Sequence, residues 1–168
     1  THTHTHTHTH THTHTHMHNI IYFREYIPSK VLIDHPMPQN LEGIYFEINL
    51  KKMKWLVFGG YNPNKNTINE FVNKIGPVLD QYMSKYENFL LVGGFNAEMS
   101  DKKMIEFCNT YNLKNLICEP TCFKNIDNPS TIDLILTNKP RCFQNSATIE
   151  SGLCLSLIHI SEPTRQLA

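Results

Sequence analysis

The sequence lacks an excess of charge of either sign. Its 15 lysines and arginines are balanced by 15 aspartates and glutamates over 168 residues. Net charge alone therefore does not indicate a nucleic-acid partner, although a local basic face is compatible with this balance. No apolar run is long enough to span a bilayer, and no secretory leader is recognisable. We expect a soluble, intracellular protein with no membrane partner.

Paired cysteine motifs are also missing. The odd, scattered set of five cysteines contains no Cys-x-x-Cys pair, which argues against a disulfide framework. Zinc binding by Cys108, Cys118 and Cys122 is an alternative, but their spacing matches no common site and no histidine lies near in sequence. Reduced, mostly buried thiols are expected.

The two ends of the chain are not typical of folded protein. Thr1 to His16 alternate threonine with histidine and offer no apolar side chain to bury, so residues 1–16 are expected to be disordered. Metal capture by the aligned imidazoles is the alternative. Residues 154–168 resemble a translated sequencing adapter and are excluded from fold reasoning. Residues 17–153 then amount to one domain.

Apolar patterning predicts several strands. Polarity alternates from Leu41 to Leu50, which predicts a half-buried strand with Tyr45, Glu47 and Asn49 on its polar side. The continuously apolar segment 55–58 predicts a strand buried on both faces. Further strands are predicted at residues 20–23, 31–33, 89–92 and 131–136.

Two helices are predicted between these strands. Thr67 and Glu70 have the spacing of a capping box, and a kink is expected at Pro77 in the helix that follows. Ser100 is predicted to cap a second helix, which Asn112 closes. Such alternation predicts an α/β layered fold, with chemistry at the strand ends.

Three groups of polar residues follow or interrupt the apolar strands. The first is Gly94 and Asn96, the second is the loop Tyr61-Asn62-Pro63-Asn64, and the third is Asp133 within residues 130–137. Hydrolysis of a phosphodiester needs a divalent metal, a base for the water, donors to the phosphoryl oxygens and an acid for the leaving oxygen. Asn96 and Asn64 can donate, and Tyr61 can donate or hold a metal-bound group. Asp133 can orient an imidazole.

Each of these residues also has a structural interpretation. Asn64, between a proline and a helix start, is typical of a turn, and Tyr61 is compatible with a rim aromatic. Asp133 needs a partner if it is buried between Ile132 and Leu134, because an unpaired buried carboxylate is costly. Strand alternation can equally place it on a solvated face.

The segment Phe89–Glu98 resembles the Gly-Asp-Phe-Asn-Ala signature of the endonuclease/exonuclease/phosphatase family. In this resemblance Tyr61 and Asn64 match a Tyr-x-Pro-Asn loop and Asn96 matches the signature asparagine. Asp133 matches an Ile-Asp-x-Ile aspartate that orients the catalytic histidine. The likeness extends from about residue 18 to residue 153 and is greatest to the endonuclease domain of non-LTR retrotransposon polyproteins.

The resemblance implies a partial four-layer α-β-β-α sandwich with Tyr61, Asn64, Asn96 and Asp133 as catalytic residues. It also implies magnesium as cofactor, DNA as partner and the nucleus as location. Domains of this kind nick target DNA so that a reverse transcriptase, expected in the same full-length polyprotein, primes from the break.

The chain departs from this pattern at three places. Gly94 occupies the position of the water-activating aspartate. The family's metal-binding glutamate is expected upstream, where the chain has its Thr-His repeat, and its Ser-Asp-His motif is expected where Cys154 and Leu155 stand. Loss of a general base alone costs on the order of 100- to 10,000-fold in rate.

We therefore expect a copy of the domain truncated at both ends, catalytically inactive, and either monomeric or prone to aggregation. A non-catalytic nucleic-acid-binding module, with Lys65, Lys74 or Lys124 on phosphates, is the alternative. A conceptual translation with no function is a further one.

Overall fold

A computed structural model gives the fold of the chain. It describes residues 27–32, 37–50, 52–63, 66–123 and 125–143, and the backbone of residues 145–149 and 157–161. The predicted strand at 20–23 and the Thr-His repeat lie outside these residues. The elements, in chain order, are β1 (Ser29–Val31), β2 (Glu42–Leu50), β3 (Met53–Tyr61), α1 (Ile68–Tyr82), β4 (Asn88–Gly94), α2 (Lys102–Thr110), β5 (Lys114–Asn115), β6 (Asp133–Thr137), a 3₁₀ turn (Pro140–Cys142), β7 (Asn145–Ile149) and β8 (Leu157–Ser161).

A six-stranded sheet in the order β1-β2-β3-β4-β6-β5 organises the fold. Strands β3 and β4 are parallel and are joined by α1, whereas the other neighbours are antiparallel. The carboxyl ends of β3 and β4 therefore lie beside the first residue of β6. A separate two-stranded sheet pairs β7 with β8, and β8 falls in the segment 154–168 that the sequence analysis excluded.

Both faces of the central sheet are covered. Trp55 and Phe58 are 0% and 1% exposed, which confirms that β3 is buried on both faces. The polar side predicted for β2 is wrong at Tyr45, which is buried. Its ring packs against Phe58 and Tyr82, with centroids 5.2 and 6.3 Å apart, because α1 covers this face of the sheet.

The first helix begins as predicted. The Thr67 hydroxyl accepts a hydrogen bond from the Glu70 amide at 3.2 Å, and the Glu70 carboxylate accepts one from the Thr67 amide at 2.6 Å. This reciprocal pair satisfies two amides at the helix start. The bonds that the Glu70 carboxylate accepts from the Thr67 amide and the Thr67 hydroxyl lower the pKa of the Glu70 carboxyl. The helix continues through Pro77 to Tyr82.

The cap predicted for the second helix is wrong by one residue. Asp101, not Ser100, precedes α2, and its carboxylate accepts from the amides of Lys103 and Met104. The Ser100 hydroxyl instead donates to Glu98. A carboxylate accepts two amides and favours the positive helix start, so it is the better cap here. Asn112, just beyond the end of the helix, has a left-handed backbone with φ of 52°, in agreement with the prediction.

The cysteines differ in their surroundings. Cys108 is buried and burial raises the pKa of its thiol to about 11, as expected for an inert core thiol. Cys118 is exposed, so the expectation of burial is wrong there. None of the four cysteines in the described residues is disulfide-bonded. Neither of the two helices is long and apolar enough to cross a membrane, within the part of the chain that the structure describes.

Candidate active site at the strand ends

Three of the predicted site residues lie in one row across the sheet. Tyr61 ends β3, Gly94 ends β4 and Asp133 begins β6. In the strand register Tyr61 is the partner of Gly94, and Gly94 is the partner of Asp133. The fold thus brings together residues that are up to 72 positions apart in the sequence, since 133 − 61 = 72.

Gly94 leaves a notch between the other two residues of the row. A Cβ built on Gly94 would lie 2.9 Å from the Asp133 Oδ1 atom and 3.3 Å from the Tyr61 ring. The position to which the resemblance assigns a carboxylate is therefore bordered by a carboxylate and a phenol. All three residues of the row are half-buried.

Asp133 is fixed by a residue that the sequence analysis did not single out. The Thr121 hydroxyl accepts hydrogen bonds from the backbone amides of Asp133 at 3.0 Å and Ile132 at 3.1 Å. Thr121 lies in the loop that precedes β6, and it ties that loop to the row. Asp133 is the first residue of β6 and is half-buried, whereas the four residues that follow it in the strand are buried. Its carboxylate therefore lies at the end of the apolar strand and not in its middle.

Asn96 lies one turn beyond the row. Its backbone is left-handed, with φ of 49°, a conformation that asparagine tolerates better than most residues. Its Nδ2 donates to the carbonyl oxygen of Asn62 at 2.6 Å. The side-chain amide carries a second N–H, and this is the group with which Asn96 can donate to a phosphate oxygen.

Asn62 is the central residue of this region, although the sequence analysis gave it no role. It is 0% exposed, and its backbone N–H donates to the Gly94 carbonyl at 2.9 Å. Its side-chain Nδ2 donates to the Phe95 carbonyl at 3.0 Å. Its place between Tyr61 and Pro63 looks like an ordinary loop position, so the sequence carries no signal for this burial.

The remaining predicted catalytic residue, Asn64, lies outside the described residues, so its role stays a prediction. The loop that carries it is held on both sides by described residues. Asn62 precedes it, and the Asn66 backbone N–H donates to the Pro63 carbonyl at 2.9 Å.

The described side chains around the notch supply few magnesium ligands. Magnesium is usually held by one or two carboxylates together with water and substrate phosphates, and the notch is bordered by one carboxylate and one phenol. Across the described ranges, no group of three His, Cys, Asp or Glu side chains is placed to hold a metal ion.

Solved structures identify the architecture. The chain superposes on an endonuclease/exonuclease/phosphatase family protein from Leptotrichia buccalis with a TM-score of 0.58 and 13% identity, over 82% of this chain and 60% of that one. It superposes on the endonuclease domain of TRAS1, a telomere-specific non-LTR retrotransposon, with a TM-score of 0.66 and 12% identity, over 86% of this chain and 73% of that domain.

The chain has the endonuclease/exonuclease/phosphatase fold. This confirms the α/β fold predicted from the sequence, of which the six-stranded sheet and its two helices are described here. The chain spans about 60% of the length of the bacterial protein. Comparisons with protein-family models and with curated proteins give no match.

Proposed function

We propose that this chain is a phosphodiesterase-type domain of a retrotransposon endonuclease that retains the groups for binding a nucleic-acid phosphodiester but does not cleave it. The row of Tyr61, Gly94 and Asp133 is the observation that carries this proposal. Two of its three positions keep polar side chains beside the place where a reacting phosphate would lie. The third has no side chain at all.

The chemistry of the row favours binding over hydrolysis. The Tyr61 phenol and the second N–H of Asn96 can donate to phosphoryl oxygens, which supports binding. Cleavage also needs a group that takes a proton from the attacking water, and Gly94 offers none. Asp133 borders the notch, and Thr121 and β4 hold its backbone. In the family resemblance an aspartate at this position orients a histidine and does not activate the water.

A role as a purely nucleic-acid-binding module is the second candidate. Phe123 and Ile126 are 59% and 85% exposed in the loop that Thr121 ties to Asp133. Exposed apolar side chains next to a phosphate site are typical of contacts with bases, by stacking or by insertion between base steps. This candidate predicts strong binding, whereas an endonuclease remnant predicts weak binding.

A plasmid assay tests the absence of cleavage. Purified chain with magnesium is expected to nick supercoiled plasmid no more than a protein-free blank does. Gly94→Asp alone is expected to stay inactive too, because catalytic groups that act as a unit recover little rate when only one is restored. Nicking that depends on the metal, survives purification and disappears in Asn96→Ala would show that the site is active as it stands.

A further inference from the structure

We infer that Asn62 is a positioning residue of the candidate site, which holds Asn96 and the backbone of Gly94 and Phe95 in one geometry. This inference rests on the proposed function, because it assigns Asn62 to the site that binds the phosphodiester. Asn62 does not itself face the notch. It acts through the residues that do.

Four hydrogen bonds meet at this one buried residue. Its N–H donates to the Gly94 carbonyl at 2.9 Å and its Nδ2 donates to the Phe95 carbonyl at 3.0 Å. Its carbonyl accepts from Asn96 Nδ2 at 2.6 Å, and its Oδ1 accepts from Asn66 Nδ2 at 2.9 Å. Backbone and side chain are thus both used, and three of the four bonds reach the segment 94–96.

A second asparagine, Asn66, connects this hydrogen-bond network to another loop. Asn66 Nδ2 also donates to the Asn40 carbonyl at 2.7 Å, in the turn before β2, where Asn40 has a left-handed backbone with φ of 65°. These hydrogen bonds therefore join three loops at the same edge of the sheet, through Asn40, Asn66, Asn62 and Asn96. Asn66 is half-buried, so it closes the network on the solvent side.

The geometry explains why Asn96 needs outside support. Its left-handed backbone is less favourable than an ordinary turn. The last backbone bond before it is the one that the Phe95 N–H donates to the Ile132 carbonyl at 3.1 Å. The bond to the Asn62 carbonyl sets the direction of the Asn96 amide. That carbonyl stays in place because the Asn62 side chain is anchored at both of its ends, on Phe95 and on Asn66.

A purely structural role would look different, and the chain contains the control. Asn88 is 4% exposed and its Nδ2 donates to the Lys54 carbonyl at 2.8 Å. It joins the same two strands, β3 and β4, at their opposite end. Asn62→Ala removes two side-chain hydrogen bonds at the site, one to Phe95 and one from Asn66, whereas Asn88→Ala removes one amide bond at the opposite end of the two strands.

The experiment compares these variants in the full chain. The side-chain amide resonances of Asn96 are followed by ¹⁵N NMR in free protein, and the affinity for a short DNA duplex in magnesium buffer is measured by fluorescence anisotropy. Asn62→Ala is expected to shift the Asn96 resonances and to weaken duplex binding on the order of tenfold. Asn88→Ala is expected to lower stability similarly without either effect.

Asn62→Asp separates the two arms of the side chain. Aspartate keeps the acceptor for Asn66 but sets a carboxylate oxygen against the Phe95 carbonyl, so the Asn96 resonances are expected to shift at least as far as in Asn62→Ala. If Asn62→Ala does not fold, Asn66→Ala replaces it, because this variant removes the hydrogen bond that Asn66 donates to the Asn62 side chain. It should then shift the Asn96 resonances, whereas unchanged resonances overturn the inference.

The outcomes keep the two proposals apart. If the wild-type chain does not bind the duplex but Asn62→Ala, unlike Asn88→Ala, shifts the Asn96 resonances, the proposed function fails and the positioning role stands. In the opposite case, the wild-type chain binds the duplex, and Asn62→Ala, like Asn88→Ala, changes neither the Asn96 resonances nor the affinity. The positioning role is then wrong and the proposed function stands.

Discussion

At the scale of single residues, two neighbouring glycines at the end of β4 differ in what they permit. Gly93 has φ of 150°, and a Cβ there would overlap the Gly60 carbonyl oxygen on β3. At Gly94 the nearest atoms are the far end of the Asp133 side chain and the edge of the Tyr61 ring. The fold therefore requires glycine at 93 but not at 94.

This difference predicts opposite tolerances. Gly93→Ala should lower the free energy of unfolding by about 2–4 kcal/mol, because a side chain there meets backbone and has a strained φ. Gly94→Ala should cost less than about 1 kcal/mol, since the close contact there is with the end of a side chain and not with backbone. Urea unfolding of both variants measures the two losses. Equal losses would mean that Gly94 is a structural glycine, and the argument for a vacated carboxylate position would fail.

The site residues that the sequence predicts are those that stand next to recognisable strand ends. Tyr61, Asn96 and Asp133 follow or begin apolar segments and belong to motifs, so they could be named without a structure. The contacts of Asn62 and Thr121 could not be predicted, because their partners are 33 and 12 residues away. Only the register of the strands brings those partners into contact.

At the scale of elements, polarity predicts where strands lie more reliably than which of their faces is covered. The alternation in β2 was predicted correctly in extent, yet Tyr45 on its polar side is buried beneath α1. The amphipathic character of tyrosine allows either placement, and the choice is made by a helix that comes later in the chain. The prediction of the α2 cap was wrong for a more local reason: Ser100 and Asp101 are adjacent, and both residue types are good helix caps.

A hydrogen bond between β2 and the segment after α1 gives stability that depends on pH. The Tyr86 hydroxyl donates to the Glu47 carboxylate at 2.7 Å, and this bond, aided by Lys54 at 3.6 Å, lowers the pKa of the Glu47 carboxyl. A carboxyl with a lowered folded-state pKa binds fewer protons folded than unfolded. Its contribution is therefore present above the unfolded pKa of about 4.3 and is lost as the pH falls through the folded value.

Tyr86→Phe should accordingly destabilise the chain by about 1 kcal/mol at pH 7, since a hydrogen bond to a charged group is lost at a partly exposed site. The difference from wild type should shrink as the pH falls below about 4. Urea unfolding between pH 3 and 7 measures it. In a Glu47→Gln background the effect of Tyr86→Phe should no longer change with pH, and a persistent pH dependence there would assign it to another group.

At the scale of the whole molecule, the order of the strands is the least predictable feature. β6 lies between β4 and β5, although β5 precedes it in the chain. Nothing in the local pattern of residues 114–115 indicates this insertion, because β5 is only two residues long. The resemblance to a family, and not periodicity, carried the prediction of a partial four-layer α-β-β-α sandwich.

The balance of charge over the whole chain predicts how it binds DNA. With 15 basic and 15 acidic residues, an endonuclease remnant can neutralise few phosphates. The logarithm of its binding constant should then fall with the logarithm of salt concentration with a slope of only about −2 to −3, because each neutralised phosphate contributes about −0.9. Fluorescence anisotropy with a labelled duplex from 50 to 300 mM salt measures this slope.

Lysine variants on one helix locate the phosphates that contribute. Lys74 lies on α1, which begins beside the candidate site, whereas Lys85 lies beyond the other end of that helix. If Lys74 contacts a phosphate, Lys74→Gln should make the slope shallower by about one, while Lys85→Gln should leave it unchanged. A wild-type slope steeper than about −6 with tight binding would instead favour the non-catalytic module, because a chain without net positive charge reaches such a slope only by concentrating its lysines on one face.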